Sequence, residues 1–290
     1  MRKIEAVVIL KTFEDYLVHV RRSSDNTIKA YMKDISRFFE YIDKMPAEIS
    51  RGDVESFVKA LSKGEITGGK VTEATISRYI SSLKVFFDYM MLIGAVKENP
   101  TDRIRHPRLR KKIPSFLTIE EVRKMINTYN EERELKHKAI LAMLYFCGLR
   151  VSELCNLTVE DVSLYPAYVK VMMGKGNKDR LVPLSENVVP LIEKYVNKYA
   201  PKVYFFEHNG RPLVPSTVFR IVKRAANRAG IMKDIHPHTL RHSFATHLIM
   251  NNVNVKIVQE LLGHSNLSTT SIYLHVADKE KFDAVKRLII

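Results

Sequence analysis

The chain has 290 residues, 46% of them hydrophobic, which is enough for two domains with properly buried cores. Its 47 Lys and Arg against 32 Asp and Glu leave a formal net charge of +15. A globular protein this basic usually binds a polyanion, most often nucleic acid. On charge alone, an ordinary basic surface is an equally good interpretation.

The sequence argues against a disulfide-stabilised or membrane-spanning protein. Its two cysteines, Cys147 and Cys155, lie in apolar helical surroundings, which favours a reducing cytoplasm. The longest apolar run, residues 139–149, is far shorter than the roughly 20 residues of a membrane-spanning helix. The first residues enter an amphipathic helix without a signal-cleavage pattern. We therefore expect a cytoplasmic protein.

Residues 1–93 are predicted to form an all-α domain of four helices. In the first helix Phe13, Leu17 and Val20 share one face, and Ser24 marks the start of the second. The apolar face of the second helix consists of Ile28, Tyr31, Ile35, Phe38, Phe39 and Ile42. This helical spacing predicts a bundle.

The third and fourth helices complete this domain. The third follows Ser50 and ends near Gly64, and Thr72 opens the fourth. The inward face of the fourth carries Ile76, Tyr79, Ile80, Leu83, Phe87 and Met90. Its opposite face carries the candidate phosphate contacts Ser77, Arg78, Ser81 and Lys84. Such a face is equally typical of ordinary solvation.

Residues 94–114 are predicted to form an exposed basic linker. They include three prolines, and six Lys or Arg residues lie between Arg103 and Lys112. Because proline interrupts helices and like charges repel, we expect an extended connection between two domains. Its cations are suited to follow a DNA backbone. The candidate contacts are Arg105, Arg108 and Arg110.

Residues 115–277 are predicted to form a second domain that mixes helices and strands. Thr118 and Glu121 form a capping box, and an apolar helix over residues 139–147 stops at Gly148. Two strand-like runs, YVKVMM and RLVPL, flank GKGNKD and predict a β-hairpin with a glycine-rich tip. The expected fold class is mainly α, with a small β-hairpin or sheet in this α+β domain.

A two-faced helix is predicted over residues 217–229 of the second domain. Its apolar face consists of Val218, Ile221, Val222 and Ala225. Its polar face includes the candidate DNA contacts Arg220, Lys223, Arg224 and Arg228. A stripe of cations at helical spacing suits the DNA backbone or the major groove.

Four short segments of the second domain carry residue types suited to phosphate chemistry. They are GLRVSEL with Arg150 and Glu153, GKGNKDR with Lys175, HPHTLRH with His238 and Arg241, and LGHSN followed by TSIYLH with His264 and Tyr273. Each segment alone is a weak signal, since a helical tyrosine is usually a core residue. In this order and spacing the combination resembles the tyrosine recombinase (phage integrase) family. It is most similar to the Xer-type site-specific recombinases, including their single-protein archaeal form.

The resemblance implies how these domains and residues act. Residues 1–93 would be a SAM-like core-binding domain and residues 115–277 the catalytic domain of a C-shaped DNA clamp. Tyr273 would attack DNA to form a 3′-phosphotyrosyl bond, leading to a Holliday junction and the resolution of chromosome dimers. The other implied catalytic residues are Arg150, Lys175, His238, Arg241 and His264, with Glu153 in support.

Elementary phosphate chemistry agrees with these roles. A phosphodiester under attack accumulates negative charge on its non-bridging oxygens, so the site needs rigid cationic donors. Arginine supplies planar, bidentate donors, which makes Arg150 and Arg241 the expected clamp. By the resemblance, Lys175 protonates the leaving 5′ oxygen and His264 donates to a phosphate oxygen. Glu153 would orient Arg150 or His238. The expected chemistry uses no metal ion, ATP or other cofactor.

Several alternatives remain open at this point. An integrase of a mobile element or a type IB topoisomerase would use the same residues, and a non-catalytic DNA-binding regulator could keep the fold. A metal-dependent nuclease is disfavoured because the sequence shows no cluster of carboxylates. His236, His238, His242 and His247 are disfavoured as zinc ligands, since they lack an H-E-x-x-H pattern and a nearby cysteine.

The last residues, 278–290, predict a tail helix for subunit contact. Phe282, Val285 and Ile289 share one face, opposite the charged residues. The tail either folds back on its own domain or, as the resemblance implies, docks in trans on a neighbouring subunit. We expect the protein to bind double-stranded DNA at a specific site. We also expect it to act at the nucleoid as a homotetramer on two duplexes.

Overall fold

The structure of the chain is a computed structural model that describes residues 2–107, 116–172 and 179–263. The chain divides into two compact units, Met1–Lys112 and Ile113–Ile290. Each unit has its own apolar core. In the part of the chain that the structure describes, every helix is too short or too polar to cross a membrane.

The described part of the first unit is helical. Its helices are α1 (Arg2–Asp15), α2 (Asp25–Tyr41), α3 (Arg51–Lys63) and α4 (Glu73–Leu92), with a π-helical turn at Tyr16–Val20 and a 3₁₀ turn at Pro46–Glu48. The predicted helix starts are confirmed. Ser24, Ser50 and Thr72 each accept a hydrogen bond from the backbone N–H three residues further on, which satisfies an otherwise unpaired donor.

The predicted inward faces of this unit are confirmed except at one residue. Phe13 and Leu17 are fully buried, and every residue of the predicted inward face of α4 is buried. Val20 is 68% exposed, so its assignment to the face of Phe13 and Leu17 was wrong. The chain leaves α-helical geometry at Tyr16, and the wider π turn changes the direction in which Val20 points.

The start of the predicted linker packs against its own unit instead of being exposed. Asn99 and Thr101 are buried, and the Asn99 amide donates to the Lys84 carbonyl and the Asp88 carboxylate. Its oxygen accepts from both the backbone and the hydroxyl of Thr101. The hydrogen bonds of Asn99 hold this turn against α4. Charge and proline content, on which the linker prediction rests, do not indicate such bonds. Arg105 is exposed.

The second unit combines helices with short strands, which confirms the expected fold class. Its described helices are α5 (Ile119–Asn127), α6 (Leu135–Phe146), α7 (Val151–Asn156), α8 (Val189–Tyr199), α9 (Pro215–Arg228), α10 (Pro237–Met250) and α11 (Val255–Leu262). Its described strands are β1 (Val162–Leu164), β2 (Ala167–Val171), β3 (Arg180–Pro183), β4 (Glu207–His208) and β5 (Arg211–Pro212). The sequence predicted β2 and β3 but not the three shorter strands.

The predicted hairpin is the edge of a three-stranded antiparallel sheet in the order β1-β2-β3. Val169 of β2 lies opposite Val162 of β1 and Val182 of β3. The last described pair before the hairpin tip joins Val171 to Arg180. Arg180 therefore lies at the base of the segment that contains Lys175, which is itself outside the described residues.

Gly148 sets the geometry between α6 and α7. Its φ of +56° is left-handed, and an added Cβ would lie 2.5 Å from the ring of Phe244 in α10. Only glycine combines this backbone conformation with this close approach. The chain therefore leaves α6, which is buried from Ala139 to Phe146, directly beside α10 and starts α7 after Arg150.

Candidate active site

Arg150 is the N-cap residue of α7, and Glu153 completes this cap. The Glu153 carboxylate accepts from the Arg150 backbone N–H at 2.7 Å and from its guanidinium at 2.7 Å. Both hydrogen bonds run from Arg150 to Glu153, and the spacing of three residues lets the Glu153 side chain reach back to the start of the helix. The Arg150 side chain is still 34% exposed, so an anion from solvent can reach it.

Arg241 enters the same site from the first turns of α10 but is nearly buried. Its guanidinium donates to the carbonyls of Gly148 and Leu262, both at 2.5 Å. Its Nη1 lies 3.7 Å from a Glu153 oxygen. Burial and then the charge of Arg150 lower the pKa of Arg241 to about 10, so it stays cationic at neutral pH.

Glu153 is the common partner of the site's cations. Besides Arg150, it accepts two hydrogen bonds from Arg180, at 3.0 and 2.7 Å. Burial alone would raise the pKa of Glu153, but the hydrogen bonds and charges of Arg180 and Arg150 outweigh burial and lower it to about 2. At this pKa the Glu153 carboxylate is ionised at neutral pH. In the described part of the chain Glu153 contacts Arg150 rather than His238.

Sequence reasoning missed Arg180, which is 8% exposed. It ends the segment GKGNKDR and begins the strand RLVPL, and its place in the sequence predicts only a hairpin residue. The available signal was alternation, because Arg180 and Val182 share the inward face of β3 while Leu181 is 51% exposed. A cation at an inward strand position requires a buried anionic partner.

His238 lies one turn before Arg241 on α10. Burial, followed by the nearby His236, Arg241 and Arg150, lowers the pKa of His238 below its ordinary value. The His236 and His238 rings are 6.1 Å apart. His238 is therefore held as a neutral imidazole beside the two arginines, able to donate one hydrogen bond and accept another.

Three of the predicted catalytic residues, Lys175, His264 and Tyr273, lie outside the described residues. The described chain ends at Gly263, which terminates α11 with a left-handed φ of +65°. The Gly263 carbonyl accepts from Arg150 at 3.3 Å. The structure thus brings together Arg150, Glu153, His238 and Arg241, and it places the residue before His264 beside them.

The predicted DNA contacts of α4 have protein partners in the first unit. Ser77 bonds His106 at 2.8 Å, and the Ser81 hydroxyl donates to the Ser77 carbonyl. Arg78 pairs with the buried Asp34 and Lys84 lies 3.5 Å from Asp102. Contacts within the first unit therefore explain why these four side chains are polar, without requiring a DNA phosphate.

The basic stripe on α9 is solvent-exposed, and the apolar face of the helix is buried as predicted. Arg220 donates to Thr217, Lys223 pairs with Asp234, and Arg228 lies 2.8 Å from Glu134. Pairs between exposed side chains contribute little stability, so a stronger anion can displace them. Arg108 and Arg110 of the predicted linker lie outside the described residues.

Two family profiles match this chain. Residues 115–280 match the phage integrase family, and residues 10–94 match the phage integrase N-terminal SAM-like domain. The chain belongs to the phage integrase family of tyrosine recombinases. It is therefore a DNA strand-transferase, and the family that its four short segments predicted is confirmed.

Relatives of this recombinase match over nearly their whole length. A tyrosine recombinase of Thermosipho africanus (strain TCF52B) is 58% identical over 280 residues, which are 97% of this chain and 99% of the relative. Tyrosine recombinase XerD of Listeria monocytogenes serotype 4b is 35% identical, with 96% and 97% covered. The crystal structure of XerA recombinase aligns with a TM-score of 0.51 at 27% identity, covering 97% of this chain and 93% of that one.

Ionisation of Glu153 is expected to stabilise the recombinase at neutral pH. Its folded pKa of about 2 is below the ordinary value of 4.5, so the contribution is complete above pH 4.5 and is lost as the pH falls towards 2. At about 1.4 kcal/mol per unit of pKa, the contribution is about 3 kcal/mol. Between pH 5 and pH 2, the free energy of unfolding of the wild type should fall by about this much more than that of Glu153→Gln.

Denaturant titration at several pH values measures this difference. Glu132→Gln is the matched control, since Glu132 is exposed and its replacement should leave the wild-type pH dependence unchanged. A Glu153→Gln variant that loses stability with acid as steeply as the wild type would contradict the assignment.

Proposed function

We propose that this recombinase cuts and rejoins DNA at a specific site through a 3′-phosphotyrosyl intermediate at Tyr273 and a Holliday junction, and that it resolves chromosome dimers. The observation that carries the proposal is the convergence of Arg150 and Arg241 on Glu153, with His238 beside the two arginines. The similarity to XerD favours dimer resolution over integration of a mobile element.

The charge of this cluster suits a phosphodiester. The guanidiniums of Arg150, Arg180 and Arg241 surround the single carboxylate of Glu153, which leaves two positive charges to balance an incoming anion. Preorganised cations of this kind stabilise the charge that develops on the non-bridging oxygens, without any rearrangement during the reaction. Arg150, the most exposed of the three, makes the first contact with the phosphate.

The remaining groups divide the proton transfers and the nucleophilic attack between them. Tyr273 gives its phenolic proton to the neutral imidazole of His238, attacks the phosphorus and displaces the 5′ oxygen, which takes its proton from Lys175. His238 and His264 donate hydrogen bonds to the phosphate oxygens. The phosphotyrosyl bond conserves the energy of the broken linkage, so the 5′ hydroxyl of the partner strand reverses the step without ATP. The protein's own cations supply the charge stabilisation, so the proposed steps require no metal ion.

DNA binding in this proposal involves both units. The core-binding domain of residues 1–93 contributes α4 with Ser77, Arg78, Ser81 and Lys84. The linker of residues 94–114 contributes Arg105, Arg108 and Arg110. The catalytic domain of residues 115–277 contributes Arg220, Lys223, Arg224 and Arg228 on α9. Each phosphate contact releases counterions, so the affinity depends on salt. The protein acts in the cytoplasm, at the nucleoid.

A plasmid that carries two copies of the recombination site tests the proposed function. Exchange of the markers that flank the sites is the expected result. Relaxation of a one-site plasmid without any exchange would instead identify a topoisomerase. A protein that binds the site but forms no covalent complex with a nicked suicide substrate would be a DNA-binding regulator, which would refute the proposed function.

The tail of residues 278–290 completes a tetramer on two DNA duplexes by docking in trans on a neighbouring subunit. The amphipathic pattern of Phe282, Val285 and Ile289 supports this assignment, because an apolar helix face needs a partner surface. Head-to-tail contacts of identical subunits close into a ring, as four active sites on two duplexes require.

Removing residues 281–290 is expected to spare binding to one half-site but to impair cooperative pairing and strand exchange. Gel-shift titration on half-sites and full sites measures the cooperativity, and the two-site plasmid measures the exchange. Full recombination by the truncated protein would favour a tail that folds back on its own domain.

A further inference from the structure

Each nitrogen of the Arg180 guanidinium donates to a partner inside the protein. Its two terminal nitrogens donate to the two Glu153 oxygens at 3.0 and 2.7 Å, and its Nε donates to the Leu261 carbonyl at 2.7 Å. Only 7% of its side chain is exposed, compared with 34% for Arg150. Arg180 therefore offers little surface to a DNA phosphate, and a role in the reaction must act through its partners.

Glu153 receives at least two donors on each oxygen when Arg180 is present. One oxygen accepts from the guanidiniums of Arg150 and Arg180, and the other accepts from Arg180 and the Arg150 backbone N–H. Arg241 lies 3.7 Å from this second oxygen, beyond hydrogen-bond distance. Arg150 and Arg180 thus supply at least four hydrogen bonds to this carboxylate, while Arg241 stays outside hydrogen-bond distance of it.

Three arginines also hold successive carbonyls at the C-terminal end of α11. Arg180 binds the carbonyl of Leu261, Arg241 that of Leu262 and Arg150 that of Gly263. The last carbonyls of a helix lack partners within the helix and carry its partial negative charge, so cations stabilise them. Arg180 thereby connects β3, Glu153 and the end of the helix that directly precedes His264.

We infer that Arg180 is a positioning residue of the active site, which saturates Glu153 so that Arg150 and Arg241 keep donors for the DNA phosphate. Without Arg180, the Glu153 carboxylate would take its missing hydrogen bonds from those two arginines and turn them away from the phosphate. The cluster would also lose one of its two net positive charges. This inference rests on the proposed function, since it concerns the same phosphate site.

Three variants test the inference. Arg180→Met keeps the length of the side chain but removes its donors, and Arg180→Lys keeps the charge without the bidentate geometry. The double variant Arg180→Met/Glu153→Gln also removes the carboxylate that would compete for Arg150 and Arg241. Arg133→Met is the matched control, because Arg133 is exposed and lies outside the site.

The measurement is the single-turnover cleavage rate on a nicked suicide substrate at saturating protein, together with the affinity for the site. We expect Arg180→Met to slow cleavage by about 10-fold or more, because misplaced catalytic groups cost about this much, with the affinity changed less than about threefold. Arg180→Lys should lie between the wild type and Arg180→Met. The double variant should cleave at least about threefold faster than Arg180→Met, since the competing charge is gone.

A merely structural role gives a different pattern. Three results would overturn the inference. The first is a loss of affinity by Arg180→Met in proportion to its loss of cleavage, and the second is cleavage by Arg180→Met at the wild-type rate. The third such result is a double variant that cleaves no faster than Arg180→Met. A melting curve for each variant identifies protein that has not folded, and Arg180→Lys then carries the test.

A second readout requires no strand cleavage and so separates this inference from the proposed function. Inorganic phosphate should raise the melting temperature of the DNA-free protein, and Arg150→Ala defines the part of this shift that comes from the active site. Arg180→Met should lose that same part, and Glu153→Gln should restore it in the double variant. If the wild type forms no covalent complex, the proposed function fails. If the phosphate shift does not depend on Arg180, the inference fails.

Discussion

Replacing Tyr273 with phenylalanine is expected to abolish covalent attachment to DNA while leaving site binding nearly intact. The lost hydroxyl is the nucleophile and contributes little to adhesion, so the chemical step stops and the complex still forms. A free phenol has a pKa of roughly 10, so Tyr273 depends on the cations of the site to become reactive. A denaturing gel of a labelled suicide substrate measures the adduct, and a gel shift measures binding.

Other tyrosines of the chain provide controls for this prediction. Burial raises the pKa of Tyr145 and Tyr195, and Tyr145 is hydrogen-bonded to His247, so neither is a good nucleophile. Tyr165 is 77% exposed, and Tyr165→Phe should form the adduct at the wild-type rate. A covalent adduct formed by Tyr273→Phe would show that a different residue attacks the DNA.

Replacing Arg150 or Arg241 with alanine should slow strand cleavage by ~10²-fold or more, the range expected when one transition-state donor is removed. The two variants should differ in stability. Arg241 also holds the Gly148 and Leu262 carbonyls, so Arg241→Ala leaves buried acceptors unpaired and should lower the melting temperature more than Arg150→Ala does. Arg150→Ala is therefore the cleaner test of the phosphate clamp.

Single-turnover cleavage at saturating protein measures this effect. Lysine at position 150 keeps the charge but loses the bidentate geometry, so it should recover only part of the rate. Arg133→Ala should cleave like the wild type. A chelator should leave wild-type activity unchanged, and activity lost with EDTA and restored by magnesium would disprove the metal-free mechanism.

Local chemistry explains why much of the fold was predictable. The helix starts at Ser24, Ser50, Thr72 and Thr118 depend on hydrogen bonds within three residues, and the buried face of α9 depends on helical spacing. Gly148 likewise marks a helix end that needs a left-handed residue. Motif order identified the family before any contact was known. All of these signals lie within short stretches of the chain.

Contacts between distant segments decided the rest. Val20 turns outward because a π turn follows α1, and Asn99 is buried because its side chain reaches back to α4. Arg180 joins Glu153 and Leu261 across separations of 27 and 81 residues. The sequence by itself determined the family, the four helices of the first unit, the apolar and basic faces of α9 and the candidate phosphate clamp. Only the tertiary structure decided which cations share Glu153, because a buried charge selects its partners by three-dimensional proximity rather than by distance along the chain.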